Sequence, residues 1–307
     1  MTRGFTGLLR LSPEIERALI RSQPVVALET SLVAHGLPHP DGLETANRCE
    51  QRVREAGAVP ATLAVIDGIV RVGLAAAELE RLATADHVRK VGPRDLASCV
   101  ISGELGACTV GGSLAVCRIA GIHFMATGGI GGVHRGWAQS RDVSADMYEI
   151  AIAPVCVVCS GAKSLLDVRA TLEEIETNAI PLIGYGTDSF PLFYQRDSEH
   201  PLGDRADDPA TVAALAATHW GFARDTGVIV ANPIAEEASL PASEIEPLIE
   251  QALAEAEQAG MRGADVTPFV LARLHELSDG RSLAANRRLV EDNAALAAEI
   301  AACYYAD

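Results

Sequence analysis

A glycine-rich stretch at residues 126–135 is the first place where the sequence indicates chemistry. Four glycines in five positions, Gly128-Gly129-Ile130-Gly131-Gly132, follow the apolar run 122–126, which is typical of a strand that ends in a loop. Glycine permits positive φ and close backbone approach, and such a loop can present N–H groups to an anion such as phosphate. Neither the ending of a P-loop nor dinucleotide-binding spacing is present. The alternative is a turn with a solvated basic rim at His134 and Arg135.

Lys163 follows Ser-Gly-Ala at the predicted start of a long helix. A cation in a first helical turn faces the positive end of the helix dipole, and that field favours the neutral amine. A neutral amine is a nucleophile toward a carbonyl carbon, with which it forms a Schiff base. The alternative is an exposed first-turn lysine that takes no part in chemistry.

Two further ionisable residues lie at or near the ends of predicted strands. Glu29 ends an apolar strand, where a carboxylate is costly unless it is partnered. It is a candidate general acid or base, or else a buried acid that caps a helix or pairs with an arginine. Lys90 either contacts phosphate, helps to polarise the region of Lys163, or is a solvated lysine at the end of a strand.

Several polar side chains follow the glycine-rich stretch or stand apart on the last helix. Asp142 and Asp146 flank Ser144, and carboxylates near a phosphate are plausible ligands of Mg²⁺ or Mn²⁺; otherwise Asp142 is a helix N-cap. His134 is either an acid–base group or a hydrogen-bonding residue of the loop. Asn286, on an otherwise apolar stripe, either has a buried ligand or bonds a neighbouring helix.

Continuous apolar runs alternate with helical patterns along the chain, which is the signature of a parallel sheet covered by helices on both faces. Predicted strands span 24–29, 61–66, 69–73, 87–91, 122–126, 154–159, 180–185 and 227–232, and predicted helices begin near 12, 41, 76, 93, 114, 144, 163, 210, 242, 267 and 282. Asp67-Gly68 predicts a hairpin, and Asp41 with Glu44 a capping box. We predict a three-layer α/β/α fold, with a largely parallel central sheet and a single domain over 1–307.

Ligands of open parallel sheets gather beyond the carboxyl ends of the strands. The polar residues predicted there are Glu29 with Thr30, Lys90, Thr127 with the glycine loop, Ser160 to Lys163, and Thr187 with Asp188. We therefore expect two lysines, one acid and a glycine-rich loop to converge at one edge of the sheet.

Composition limits the partners that this chain can have. Of its 307 residues 49% are hydrophobic and only 4% aromatic, and 25 basic residues stand against 41 acidic ones, a net charge of −16. Such a surface repels nucleic acid and anionic membranes, so neither is expected as a partner. An anionic substrate would need a locally basic pocket, which adds interest to lysines and arginines beside glycine-rich loops.

The seven cysteines predict reduced thiols of a cytosolic protein, since their number is odd and their spacing is not that of a small disulfide-linked domain. Cys156 and Cys159 have the spacing of a redox motif, but they lie in an apolar run and are interpreted as buried thiols. No cleavable leader and no apolar run of about 18 residues is apparent. A soluble, cytoplasmic protein is expected.

The sequence strongly resembles the pseudouridine-5′-phosphate glycosidase family, also called the indigoidine synthase A-like family. The resemblance covers nearly the whole chain, in the family's order. The stretches that carry it are 26–32, 35–40, 57–62, Lys90 with 94–96, 126–135, 142–146, 161–163, 171–177, 184–194, 231–234, 267–269 and 282–286. The glycine loop followed by Ser-Ala-Asp and Gly-Ala-Lys is the most specific part.

The resemblance implies reversible cleavage of the C–C glycosidic bond of pseudouridine 5′-phosphate to uracil and ribose 5-phosphate. It implies that Lys163 forms an imine with C1′ of the ring-opened ribose, that Glu29 donates a proton and that Asp142 binds Mn²⁺. Homotrimers of α/β/α subunits are also implied. The positions that match substrate-binding or active-site stretches are Lys90, Val110, Thr127, His134, Ser144, Ala145, Asp146 and Asn286.

Two other functions stay open on the sequence. One is a lysine-dependent lyase or aldolase that acts on another sugar phosphate, or a C-nucleoside-forming enzyme of secondary metabolism. The other is a sugar-phosphate sensor without catalysis, although a sensor would not need a nucleophile. Residues 108–113, 186 and 278–280 depart from the family's pattern, and these departures concern the nucleobase rather than the type of reaction.

Overall fold

A computed structural model describes residues 7–306 of the chain. Residues 1–6 and 307 of the predicted domain lie outside the described residues, so the domain limits stay a prediction. The strands are β1 Leu9–Leu11, β2 Val25–Leu28, β3 Val59–Ile66, β4 Ile69–Val72, β5 Arg89–Val91, β6 Gly106–Cys108, β7 Phe124–Ala126, β8 Cys156–Cys159, β9 Leu182–Tyr185, β10 Asp204–Ala206 and β11 Val228–Ala231.

Helices alternate with these strands as the apolar pattern predicts. They are α1 Pro13–Ile20, α2 Asp41–Glu55, α3 Ala76–Thr84, α4 Leu96–Ser102, α5 Val110–Ala120, α6 Trp137–Ser140, α7 Ala145–Ile152, α8 Val168–Thr177, α9 Pro209–Gly221, α10 Ala242–Gln258, α11 Val266–Leu277 and α12 Arg281–Tyr304. A π-helical turn, Leu32–Gly36, precedes α2.

One sheet contains the eleven strands, in the order β1-β4-β3-β2-β7-β8-β11-β9-β10, with β6 paired to β3 and β5 paired to β6. Every pair is parallel except β3 with β4 and β3 with β6. The antiparallel β3–β4 pair is the hairpin predicted at Asp67-Gly68, and both residues have the positive φ that a tight hairpin turn requires. The predicted fold class is confirmed.

The central strands β2, β7, β8 and β11 consist entirely of buried residues. Strands of a parallel sheet are covered on both faces, which is why they are apolar throughout rather than alternating. The long helix α12 packs against α2 and α9 and against β2, β7 and β8. It therefore crosses the strands at whose ends the predicted site residues lie.

The predictions were wrong around α5. The sequence predicted a glycine-broken segment and a helix from residue 114, but the structure has β6 followed by a helix that begins at Val110. Gly111 and Gly112 are helical because the first turn packs tightly against its neighbours: a Cβ on Gly112 would lie 2.4 Å from the carbonyl oxygen of Val91. Close packing has overridden the low helix propensity of glycine.

Two predicted helix starts were also wrong. The helix after Lys163 begins only at Val168, with Asp167 as its N-cap, so Lys163 lies in a loop and the helix dipole cannot act on it as expected. Asp41 is not a cap either, since α2 follows Pro40 without a side-chain cap. The Asp41 carboxylate instead accepts a hydrogen bond from Arg287 of α12 at 2.5 Å.

Candidate active site

A cavity lies beyond the carboxyl ends of the central strands, where the topology predicts a ligand. Its volume is about 60 Å³. Its lining residues are Glu29, Ser31, Leu32, His35, Gly36, Lys90, Thr109, Thr127, Gly128, Gly129, Lys163, Phe193, Thr267, Pro268, Leu271 and Asn286. The predicted convergence of an acid, two lysines and the glycine loop is confirmed.

Glu29 follows β2 directly and is held by two hydroxyl groups. Its Oε1 accepts a hydrogen bond from Thr127 Oγ1, and its Oε2 accepts one from Ser31 Oγ. Within residues 7–306 it pairs with no arginine and caps no helix, so both structural alternatives for this acid are wrong. Two hydroxyl donors orient a carboxyl group without neutralising it, which suits a proton-transfer role.

Lys163 lies in the loop after β8 and is half-buried. Its backbone N–H donates to the carbonyl oxygen of Ile130 at 3.0 Å, which joins this loop to the glycine-rich stretch. Two positions earlier, Gly161 has a φ of +84°, and a Cβ there would lie 1.9 Å from the carbonyl oxygen of Pro191. Only glycine fits at that position, and it fixes the path of the backbone into Lys163.

Lys90, on β5, is a second lysine of the cavity. Burial lowers the pKa of Lys90, and the nearby charge of Lys163 lowers it further, while Asp146, Glu29 and Asp265 act in the opposite direction. The two lysine side chains therefore share one cavity. An anionic ligand between them would relieve their repulsion.

The glycine-rich stretch differs from the predicted anion-binding loop. None of Gly128, Gly129, Gly131 and Gly132 has a positive φ. Between residues 128 and 133, three backbone N–H groups are used inside the protein: Ile130 donates to Gly161 O, Gly131 to Asp146 Oδ2 and Val133 to Thr171 Oγ1. Those three cannot bind phosphate, and only Gly128 and Gly129 line the cavity.

Close packing explains why the stretch is rich in glycine. A Cβ on Gly131 would lie 2.3 Å from Ser144 Oγ, and one on Gly132 would lie 2.4 Å from Thr171 Cγ2. A Cβ on Gly129 would lie 2.6 Å from the ring of Phe193. The glycines let the loop pass between its neighbours, which makes it a rigid wall of the cavity.

Asp146 belongs to the support of that wall. It is only 5% exposed, and its two oxygens accept from the backbone N–H groups of Gly111 and Gly131, each at 2.8 Å. It does not line the cavity. The carboxylate thus ties the start of α5 to the glycine-rich stretch, and its contact with substrate stays a prediction.

Asp146→Asn is expected to lower the free energy of unfolding by about 1–3 kcal/mol. The amide NH₂ would face one of the two N–H donors and leave that donor buried without an acceptor. Urea denaturation measures the loss. Asp225→Asn, on the exposed loop after α9, is the matched control and should stay within about 0.5 kcal/mol of the parent. Equal stability of the two variants would contradict the bracing role.

Other predicted substrate contacts lie behind the cavity wall. Val110 is the buried first residue of α5. Ser144 caps α7, accepting from the N–H of Asp146 at 3.2 Å, and Ala145 is the exposed first residue of that helix. None of the three lines the cavity, so their contact with substrate stays a prediction.

His134 and Asp142 lie side by side in the segment before α7. The N–H of His134 donates to the carbonyl oxygen of Asp142 at 3.0 Å. Burial lowers the pKa of the His134 imidazole, and the charges of Lys163 and Lys90 lower it too, while Asp142 raises it. A neutral imidazole near the lysines is therefore favoured, although His134 does not line the cavity.

The residues around Asp142 set a limit on metal binding. Ser144, not Asp142, is the N-cap of α7, so that alternative is wrong, and no described residue forms a hydrogen bond or an ion pair with the Asp142 carboxylate. Within residues 7–306 no three His, Cys, Asp or Glu side chains form a group that could hold a metal. The donors do not fit a closed metal cage. They fit only an ion that keeps its waters and binds one carboxylate plus substrate oxygens.

Two buried amides of α12 belong to the site. Asn286 lines the cavity, is 3% exposed, and its Oδ1 has no hydrogen-bond partner among the described residues. Asn293 was not predicted, although it follows Asn286 by seven residues and so lies on the same face two turns later. The seven-residue spacing could have identified Asn293 in the sequence, because both amides interrupt the same apolar stripe of the helix.

Among the described residues the cysteines are free, and Cys156 and Cys159 are fully buried in β8. Burial raises the pKa of each of these two thiols to about 12. Thiols of this kind are inert, which confirms their interpretation as buried core residues.

Thr187 and Asp188, also predicted at the catalytic edge, line a separate surface depression, so that part of the prediction was wrong.

Similarity to known proteins adds to this geometry. The family model described as indigoidine synthase A like protein matches residues 14–303, which is nearly the whole sequence. The chain belongs to the indigoidine synthase A-like family. The resemblance carried by the glycine loop, the Ser-Ala-Asp stretch and the Gly-Ala-Lys stretch is thereby confirmed.

None of the helices within 7–306 has the length and apolarity that crossing a bilayer would require.

Curated relatives match this indigoidine synthase A-like chain over nearly their full lengths. A Paracoccus denitrificans protein named pseudouridine-5′-phosphate glycosidase is 50% identical over 297 residues, which cover 96% of this chain and 98% of the relative. A Photorhabdus laumondii protein named pseudouridine-5′-phosphate glycosidase 2 is 47% identical over 298 residues, covering 97% and 96%.

Two solved structures share the fold. The prealnumycin C-glycosynthase AlnA, solved in complex with ribulose 5-phosphate, superposes with a TM-score of 0.89 at 38% identity and covers 97% of each chain. An indigoidine synthase A-like protein of Thermotoga maritima superposes with a TM-score of 0.87 at 36% identity and covers 96% of each chain. The family thus includes a member whose structure contains a pentose phosphate.

Proposed function

We propose that this chain is a pseudouridine-5′-phosphate glycosidase that reversibly cleaves the substrate to uracil and ribose 5-phosphate. The observation that carries the proposal is the meeting of Lys163 and Glu29 in one cavity with a second lysine, Lys90. A C–C bond has no heteroatom at which protonation could expel the base. The site therefore needs an electron sink on the sugar, and a lysine can build one as an imine.

The chemistry follows from these groups. The neutral amine of Lys163 attacks C1′ while the bond from C1′ to the ring oxygen breaks, and Glu29 gives its proton to that oxygen. The new ammonium group then loses a proton to the Glu29 carboxylate, which leaves a lone pair on the nitrogen. When Glu29 passes this proton to C5 of uracil, the bond between C5 and C1′ breaks. The nitrogen lone pair becomes the second bond of a C1′ iminium, and the electrons of the broken bond restore the C5–C6 double bond. Water hydrolyses the iminium, which returns free lysine and ribose 5-phosphate.

A second depression adjoins one side of the cavity and supports a position for the uracil. It shares His35, Gly36, Pro268, Leu271 and Asn286 with the catalytic cavity and contains none of the three charged residues of that cavity. Uracil is a neutral ring that offers N–H donors, and the unpartnered Oδ1 of Asn286 is a matching acceptor. We therefore assign the sugar phosphate to the lysine side and the base to the side of Asn286.

Lys90 is proposed to bind the phosphate, which gives a testable pH dependence. Since the pKa of Lys90 is lowered, the residue loses its charge at a lower pH than an ordinary lysine, whose pKa is about 10.4. Ribitol 5-phosphate, which has no carbonyl and forms no imine, should bind tightly at neutral pH and more weakly as the pH rises through this lowered value. Calorimetry measures the affinity at each pH.

Lys90→Arg is the matched variant for this prediction, because the guanidinium stays charged throughout that range. It should bind ribitol 5-phosphate with less weakening at alkaline pH. If the affinity of Lys90→Arg for ribitol 5-phosphate fell at alkaline pH as much as that of the parent, Lys90 would not be the phosphate-binding residue.

Mn²⁺ is proposed as the metal, with Asp142 as its single protein carboxylate. When bound, such an ion would screen negative charge on the substrate. The imidazole of His134, beside Asp142, would be kept neutral chiefly by burial and further by the charges of the nearby lysines. The sequence resemblance is the source of this proposal, and the donor set fits it only with water and substrate as the other ligands.

A homotrimer and a cytoplasmic location are proposed with the enzyme. The trimer rests on the family resemblance, and Ile119 of α5 and Tyr148 of α7, on two helices in contact, supply exposed apolar surface that an assembly would cover. The location rests on the free cysteines of the described chain, which are typical of a reducing compartment.

The test of the function is an assay with pseudouridine 5′-phosphate, with and without Mn²⁺, that follows the release of uracil. No release from folded protein would overturn the proposal. A second candidate, a C-glycosynthase, is favoured by the likeness to AlnA. It would be indicated if ribose 5-phosphate formed an adduct with the enzyme while uracil was neither released nor consumed.

A further inference from the structure

Asn293 lies on α12, is fully buried, and contacts the ends of three adjacent strands. Its Nδ2 donates to the carbonyl oxygen of Thr127 at 2.8 Å and to Ser160 Oγ at 3.1 Å. Its Oδ1 accepts from Nδ2 of Asn232 at 2.9 Å. Thr127, Ser160 and Asn232 are the residues that directly follow β7, β8 and β11. One side chain therefore joins the carboxyl ends of these strands.

Two of these contacts lead to the reacting groups. Thr127 donates its hydroxyl to Glu29, so the position of the Thr127 backbone sets the position of the acid. Ser160 begins the loop that carries Lys163, and its own N–H donates to the carbonyl oxygen of Gly128 at 2.9 Å. A movement of either strand end would be passed to the acid or to the nucleophile.

The presence of an asparagine at position 293 has a physical reason. The buried face of α12 is otherwise largely apolar, with Leu289, Ala297 and Ile300 fully buried. An amide in such surroundings costs free energy unless its donors and acceptor are satisfied, and a fully satisfied buried network fixes the relative positions of its members. A leucine of similar size would fill the same volume without joining the strands.

We propose that Asn293 is a positioning residue that holds Glu29 and Lys163 at their working separation. The inference rests on the proposed function for its kinetic readout, but the restraint on the strand ends can be measured without any reaction. Small misplacements of reacting groups are costly, since a shift of about 1 Å can reduce a rate by about 100-fold. Binding of the sugar phosphate, which depends on the lysine charges, should change much less.

The experiment compares Asn293→Leu with Ile300→Val in the full chain. Ile300 is fully buried on the same helix, seven residues further on, and its apolar side chain makes no hydrogen bond that its truncation could remove. Asn293→Leu should lower kcat and the rate of borohydride-trapped adduct formation with ribose 5-phosphate by about 10- to 100-fold. The KM for ribose 5-phosphate should stay near that of the parent. Ile300→Val should keep the parent kcat.

Hydrogen exchange supplies a readout that is independent of activity. Peptides that contain residues 127–129 and 160–163 should exchange faster in Asn293→Leu than in the parent, and the same peptides in Ile300→Val should not. Parent-like kcat together with parent-like exchange in these peptides would overturn the proposal. An inactive parent enzyme would instead count against the proposed function, and the exchange data would still decide the role of Asn293.

Asn232→Ala covers the case in which Asn293→Leu fails to fold. Asn232 is only half-buried, and its loss removes the donor to Asn293 Oδ1 without creating a large cavity. A fall in kcat and faster exchange of residues 127–129 are expected here too, in smaller measure. Unchanged kcat and exchange in this variant would overturn the proposal.

Discussion

A Lys163→Met enzyme is expected to form no covalent adduct with ribose 5-phosphate and to lose at least about 10⁴-fold in kcat for pseudouridine 5′-phosphate. Removal of a nucleophile that forms the covalent intermediate costs losses of this order or greater in other enzymes. Methionine has nearly the length of lysine and suits the half-buried position of the residue, so the loop between Gly161 and Val168 should keep its path. The measurement is borohydride reduction with ribose 5-phosphate, followed by peptide mass spectrometry.

Lys90→Met is the matched control for that result, because it removes the other ammonium group of the same cavity. It should bind ribose 5-phosphate more weakly, yet still form the reduced adduct at Lys163 when the sugar phosphate is saturating. An adduct on Lys90 in the parent enzyme, or an adduct that survives in Lys163→Met, would show that the nucleophile had been assigned to the wrong lysine. Turnover by Lys163→Met at the parent rate would exclude an imine altogether.

The site could be predicted from the sequence where strand order alone decides position. Glu29, Thr127 and Lys163 follow β2, β7 and β8, which are adjacent parallel strands. Parallel strands bring their carboxyl ends to one edge, so recognising the three apolar runs was enough to expect the three residues together. Lys90 reaches the same cavity from β5, which joins the sheet through β6 and β3.

Contacts between side chains and distant backbone groups could not be predicted from the sequence. Asp146 was a candidate ligand residue because carboxylates near a phosphate can bind metal ions, but its oxygens accept from N–H groups 35 and 15 residues earlier in the chain. No local pattern reports such pairings. The glycines of residues 128–132 were interpreted as residues that permit positive φ and let the backbone approach a ligand, whereas they are needed because the side chains of Ser144, Thr171 and Phe193 approach them closely.

The charge of the cavity explains how an acidic protein can take an anionic substrate. The chain has a net charge of −16, which repels phosphate at long range. Lys90 and Lys163 face the same cavity, and their mutual repulsion contributes to the lowered pKa of Lys90. A phosphate dianion bound between the two side chains would screen that repulsion and favour the charged form of Lys90.

Glu29→Gln is expected to lower kcat by about 10²- to 10⁴-fold, the usual contribution of a general acid or base. The amide cannot donate a proton to the departing ring oxygen, but it nearly matches the carboxyl group in shape. It can still hydrogen-bond Thr127 and Ser31, the two hydroxyl partners of Glu29. The affinity for ribitol 5-phosphate should therefore be retained, and calorimetry beside steady-state uracil release separates the two effects.

Glu50→Gln provides the matched control, since Glu50 of α2 is also half-buried and also accepts a hydrogen bond from a threonine, Thr62. Burial raises the pKa of Glu50, but the residue lies outside the catalytic cavity, so kcat should stay at the parent value. A parent-like kcat in Glu29→Gln would assign the proton transfer to another group. If kcat fell equally in Glu29→Gln and Glu50→Gln, the loss would be due to lower stability. Only Glu29 is proposed to donate a proton to the substrate, whereas Glu50 only accepts a hydrogen bond from a neighbouring hydroxyl group.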